Sequence, residues 1–151
     1  MASKELIRST LYDEALQLAD TVSSDPLVVL EKLNAASAAG DDRATYALAT
    51  WYLHGTNVEM DVDRALNLLR IAADAGNASA MYDLAYSYEA GNGVTKDERK
   101  AFLLYVKAAL FGDAQSIQQV CRCCWYGVGT EVDRELADIW RQKALALGAE
   151  D

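Results

Sequence analysis

At 151 residues, with 52% hydrophobic residues and one proline, the chain is long enough to bury a sizeable core and too apolar to be disordered. Fourteen Lys and Arg against 23 Asp and Glu leave a net charge of −9. That excess of acid argues against general binding to nucleic-acid phosphates or anionic membranes, and it favours a protein partner with a basic surface.

The first twenty residues carry acids early and no apolar h-region, so no export signal is expected, and no run reaches membrane-spanning length. Cys121, Cys123 and Cys124 are too bunched for a disulfide framework. The expected compartment is the reducing cytoplasm. In residues 5–20, Leu6, Ile7, Leu11, Tyr12, Ala15, Leu16 and Ala19 fall at helical spacing. Ser23-Ser24-Asp25-Pro26 breaks the pattern. Asp25 is suited to an N-cap and Pro26 to the first helical position, where a missing N–H is harmless. The second helix is expected to stop at Gly40.

From there the chain repeats. Asp41 caps a helix holding Ala44, Leu48, Ala49 and Tyr52; Gly55-Thr56-Asn57-Val58 turns; Asp61 caps a helix holding Ala65, Leu68, Leu69, Ala72 and Ala73, which ends at Gly76. Adding 36 brings back the same residue types. Gly55 returns as Gly91 and Gly127; Gly40 and Gly76 return as Gly112 and Gly148; Asp25 and Asp61 return as Asp97 and Asp133. Asn77 and Asp113 stand in the capping slot after their glycines, and Ala149 occupies that slot at the end. Self-similarity at a 36-residue period predicts an all-α array of about four stacked antiparallel helix pairs. The expected organisation is one repeat domain over 1–151: a degenerate capping pair at 1–40, then units at 41–77, 78–113 and 114–151. Small residues let the helices approach closely, and Trp51 and Trp140 are expected in the core.

Residues 80–112 carry Ala80, Leu84, Tyr88, Gly91, Gly93, Val94, Asp97, Lys100, Ala101, Tyr105, Lys107, Ala108, Ala109 and Gly112. This pattern resembles the Sel-one-like repeat, a relative of the tetratricopeptide repeat with a longer turn. Residues 44–76 match with Ala49 and Asn57 at glycine positions. Residues 116–148 depart further, with Cys124 for the tyrosine and Thr130 for the valine. The resemblance implies a right-handed α-solenoid and a non-catalytic role as an adaptor or scaffold for other proteins. Some small bacterial members look like immunity proteins that neutralise a cognate toxin. The expectation is therefore a cytoplasmic interaction module of the immunity type, which occludes a toxin with a basic surface; the alternative is a general adaptor in signalling or quality control.

In this family the first helix of each pair lines the concave face. The register implies partner-facing positions at Tyr46, Thr50 and His54, then Tyr82, Tyr86 and Glu89, then Gln118, Arg122, Trp125 and Tyr126. Tyr, Trp and Arg are the residue types that dominate binding energy at interfaces. Each of these aromatics is alternatively placed to pack between neighbouring helices. His54 is the single histidine, with no second His nearby and no Cys at ligand spacing, so neither a metal site nor a Ser-His-Asp or Cys-His arrangement is expected. Cys121 and Cys124 read as packing residues, while Cys123 is either packed or a redox-sensitive thiol. Gly91-Asn92-Gly93-Val94 follows a helix and lacks the Lys-Ser/Thr of a phosphate loop. No catalytic residue, cofactor, metal or small-molecule substrate is expected.

Overall fold

The computed structural model describes residues 4–20 and 25–148, with side chains from residue 10 onward. The Leu6 and Ile7 side chains, the Ser23-Ser24 break and Ala149 lie outside the described residues. Among those described there are eight helices and no strand: α1 (Lys4–Ala19), α2 (Pro26–Ala38), α3 (Asp42–His54), α4 (Val62–Asp74), α5 (Ala78–Ala90), α6 (Glu98–Leu110), α7 (Ala114–Tyr126) and α8 (Arg134–Ala146). This is the all-α helix-pair architecture of an α-solenoid. None of the described helices is long and apolar enough to cross a membrane.

The six predicted aspartate caps form. Asp25, Asp41, Asp61, Asp97, Asp113 and Asp133 each accept a hydrogen bond from a backbone N–H in the first turn of the following helix. Each satisfies one of the orphan donors at a helix start. The joints between pairs are economical. Gly40 takes φ +90°, a conformation open to a residue without Cβ. The Asp41 N–H then donates to the Ala36 carbonyl at 3.0 Å, closing α2, while the Asp41 carboxylate accepts from the Arg43 N–H at 3.0 Å, opening α3. Asp113 repeats the device, with 3.2 Å back to Ala108 and 2.7 Å forward to Ser116. Asn77 donates its N–H to Ala72 at 3.0 Å and its side-chain amide to the Asp42 carboxylate at 2.9 Å. Inside the second, third and fourth pairs the second cap is tied to the first helix. The N–H groups of Asp61, Asp97 and Asp133 donate to the carbonyls of Tyr52, Tyr88 and Cys124 at 2.9, 2.8 and 2.8 Å.

The chain divides into two compact units, residues 1–77 and 78–151. In the first, Ala15, Val29, Leu33, Ala36, Ala44 and Leu48 form the core, with Leu11, Tyr12, Leu18 and Trp51 packed against it. Full burial of a leucine such as Leu48 contributes roughly 2 kcal/mol. Of the apolar positions at helical spacing, Leu16 and Ala19 point out; Leu16 is 47% exposed, and Leu18 packs instead. The stripe Leu11, Ala15, Leu18 follows i, i+4, i+7, and Leu16 lies a quarter-turn off it. Arg43 joins the first two pairs. It pairs with Asp41 at 2.8 Å, lies 4.4 Å from the centre of the Tyr12 ring and reaches Asp13 at 3.7 Å.

In the second unit the core is Ala85, Ala101, Tyr105, Ala109, Ile117, Val120, Cys123, Cys124, Ala137 and Ala144, with Tyr82, Phe102 and Trp140 against it. The turn of the fourth pair touches the start of the third pair's second helix. A Cβ placed on Gly129 would fall 2.0 Å from the Glu98 carbonyl oxygen, and φ there is +66°. Glycine is required at this point for the close approach as well as for the backbone conformation.

Candidate protein-binding surface

A solenoid helix meets a partner only through side chains that its neighbours leave uncovered. In the first unit Tyr46 and Thr50 are half-buried, and the Thr50 hydroxyl donates to the Ala47 carbonyl at 2.8 Å. His54 is exposed at the C-terminal end of α3, where the helix dipole favours it. In the second unit Tyr82 is taken up by packing, its ring 5.6 Å from that of Tyr105. Tyr86, one turn on, is 58% exposed. Gln118 is exposed, Trp125 is 40% exposed and Tyr126 is 71% exposed.

Glu89 and Arg122 belong together. One guanidinium nitrogen of Arg122 donates to both carboxylate oxygens of Glu89, at 2.7 and 2.8 Å, and the Tyr105 hydroxyl donates to the same carboxylate at 3.1 Å. Gln119 accepts from the other side of Arg122 at 2.7 Å. The two charges expected to face a partner thus hold α5, α6 and α7 together. Burial and the adjacent carboxylate push the Tyr105 phenol up, so it stays a neutral donor. Burial works against the Arg122 charge, but the hydrogen bond to Glu89, together with the electrostatic influence of Glu89, Cys123 and Tyr105 around it, raises it overall.

The uncovered residues of the fourth pair surround a hollow of about 300 Å³, lined by Gln118, Cys121, Arg122, Trp125, Tyr126, Asp138 and Arg141. Arg134 stacks on Trp125, 5.3 Å from the ring centre, and Asp138 pairs with Arg141 at 3.1 Å. Of this set the repeat register singled out Gln118, Arg122, Trp125 and Tyr126. It passed over Asp138 and Arg141, which lie on the second helix of the pair. A signal was available: 36 residues earlier stand Phe102 and Tyr105, so two core positions carry charges here.

The cysteines are packing residues. Cys124 is fully buried, and the half-buried Cys121 donates to the Ala137 carbonyl at 3.3 Å. Cys123 is 1% exposed, and burial pushes its thiol up to about 11 despite the neighbouring Arg122. A reactive thiol needs the opposite, a lowered pKa and access.

A family model described as Sel1 repeat matches residues 42–77, 78–113 and 114–148. A solved Sel1 repeat protein from Oxalobacter formigenes is 37% identical over 80% of this chain and 91% of its own, with a TM-score of 0.77. A protective antigen of uropathogenic Escherichia coli with an SLR fold is 24% identical over 94% of this chain and 31% of its own, with a TM-score of 0.87. Immunity protein Pa5087 from Pseudomonas aeruginosa is 23% identical over 93% of this chain and 53% of its own, with a TM-score of 0.65. The last two share the fold. No curated protein matches.

Proposed function

The chain belongs to the Sel1 repeat family, and on that premise we propose that it is a non-catalytic module that binds another protein, of the immunity type, and neutralises a cognate bacterial toxin with a basic surface. One observation carries the reading. Tyr86, Trp125 and Tyr126 are left in water on the first helices of adjacent pairs, although the repeat's packing needs none of them. Aromatic side chains lose two rotatable bonds on docking and bury a large area, so exposed aromatics beside a hollow favour a protein contact. The net charge of −9 supports a basic partner, mainly by raising the association rate. The fold shared with the Pseudomonas immunity protein supports the finer reading. In mechanism, the aromatics anchor the partner while the acidic body of the chain covers its working surface.

The test is co-expression. The product of the gene beside this one should arrest growth when expressed alone, and this chain should restore growth by binding it with nanomolar affinity. Binding of several unrelated proteins at micromolar affinity, without rescue, would instead establish a general adaptor.

A further inference from the structure

We propose that Asn92–Gly93, in the turn of the third pair, is a spontaneous modification site, at which the Asn92 side chain closes on the Gly93 nitrogen and leaves an aspartyl or isoaspartyl residue.

The turn exposes both groups that the reaction needs. α5 ends at Ala90, and the Asn92 N–H closes it by donating to the Ser87 carbonyl at 2.9 Å. The next tie is the Asp97 N–H on the Tyr88 carbonyl at 2.8 Å. Between these ties, Asn92 and Gly93 are exposed, and neither the Asn92 side-chain amide nor the Gly93 N–H has a hydrogen-bond partner among the described residues. Glycine has no Cβ, so nothing of its own crowds that nitrogen.

The other four asparagines lack this combination. Asn34 lies within α2, and its amide donates to the Leu30 carbonyl at 2.9 Å. Asn67 lies within α4 and accepts from Arg70 at 3.0 Å. In both, the N–H that follows is committed to the helix. Asn77 gives its amide to Asp42 at 2.9 Å. Asn57 holds the place of Gly93 in the second pair, but Val58 follows, and its branched Cβ crowds the nitrogen. The fold and the local sequence therefore protect four asparagines and leave Asn92 open.

The chemistry needs only water. Hydroxide takes the Gly93 N–H proton, and the nitrogen bonds to Cγ of Asn92. The Cγ–Nδ2 bond breaks, and Nδ2 takes a proton from water and leaves as ammonia. Water then opens the five-membered ring at either carbonyl. Opening at Cγ restores the ordinary backbone with an aspartate. Opening at the main-chain carbonyl carbon leaves the chain running through Cγ, as isoaspartate. Either product adds a negative charge just beyond α5, the helix that carries Tyr86 and Glu89, and isoaspartate also adds a carbon to the backbone there.

The experiment ages the folded chain at pH 8 and maps its peptides by mass. The peptide holding Asn92 should gain the difference between a hydroxyl and an amino group. Isoaspartate should be detected in it by methyl transfer from S-adenosylmethionine, using an isoaspartyl methyltransferase as the probe. Asn92→Ser keeps a turn-forming residue, so it should lose the signal with circular dichroism unchanged. Chain unfolded in urea should react at Asn92 at a rate comparable to the folded chain. A folded chain in which Asn92 stays intact, another asparagine that reacts first, or a signal that persists in Asn92→Ser would each overturn the proposal.

Discussion

Arg122 of α7 closes on both carboxylate oxygens of Glu89 of α5, at 2.7 and 2.8 Å, and Tyr105 of α6 donates to the same carboxylate. This three-helix junction ties the third pair to the fourth. Glu89→Ala strands Arg122 partly out of water and removes the acceptor of Tyr105, so it should cost about 1–3 kcal/mol in urea unfolding. The double variant Glu89→Ala/Arg122→Ala should cost less than the two singles together, because no charge is then left unpaired. Strict additivity would show that the pair does not couple the helices.

Asp41 should give the first unit part of its acid sensitivity. Burial would raise its carboxyl, but hydrogen bonds from the Arg43 side chain and backbone outweigh that and hold it below the usual carboxylate range. A lowered folded-state pKa means stability that is present above the ordinary carboxylate pKa and lost as pH falls through the folded value. Asp41→Asn keeps a capping side chain and removes the charge. It should flatten the decline of melting temperature in acid while lowering stability at neutral pH by about 1 kcal/mol. An unchanged acid slope would sink this assignment.

Gly129 and Gly112 separate two costs. Both have positive φ, but a Cβ on Gly112 meets nothing within 4 Å, whereas one on Gly129 would fall 2.0 Å from the Glu98 carbonyl oxygen. Gly112→Ala should cost about 1–2 kcal/mol, the left-handed penalty alone. Gly129→Ala should cost clearly more, because the turn of the fourth pair must move away from α6. Equal thermal shifts for the two would argue against the close approach.

The thiols should be slow. Cys123 and Cys124 are buried, and burial raises the pKa of all three cysteines. With a chromogenic disulfide reagent at pH 8, Cys121 should react first in the native chain, and all three thiols should appear only in denaturant. Rapid native modification of Cys123 would contradict its packing.

For partner binding, Tyr86→Ala and Trp125→Ala should each weaken the complex by about 2 kcal/mol or more, close to thirtyfold, with helicity unchanged. Tyr82→Ala should act through stability instead, since its ring is packed on Tyr105. Calorimetry at rising salt should show weaker binding to a basic toxin as screening removes the steering. Normal affinity in both aromatic variants would move the binding surface elsewhere.

The helices, their order and nearly every cap were legible because their causes are local. An aspartate at a helix start, a glycine at a helix end and a 36-residue period act within one or two turns. The same arithmetic identified the family. It also pointed to Trp125 and Tyr126, whose bulk the repeat does not require. The period says which positions are equivalent; it does not say which neighbours take up their side chains. Hence Glu89 and Arg122 read as free charges until packing brought residues 33 apart in sequence into contact. Tyr82 and Tyr86 looked alike one turn apart until one ring met Tyr105 and the other met water. Gly129 stands 36 residues after Gly93, and only the approach of Glu98 shows that no Cβ fits there. The sequence by itself determined the repeat, because helix formation and capping are short-range. Tertiary structure alone decided which aromatics stay exposed and which charges are paired, because burial is settled by residues that meet only after the pairs stack.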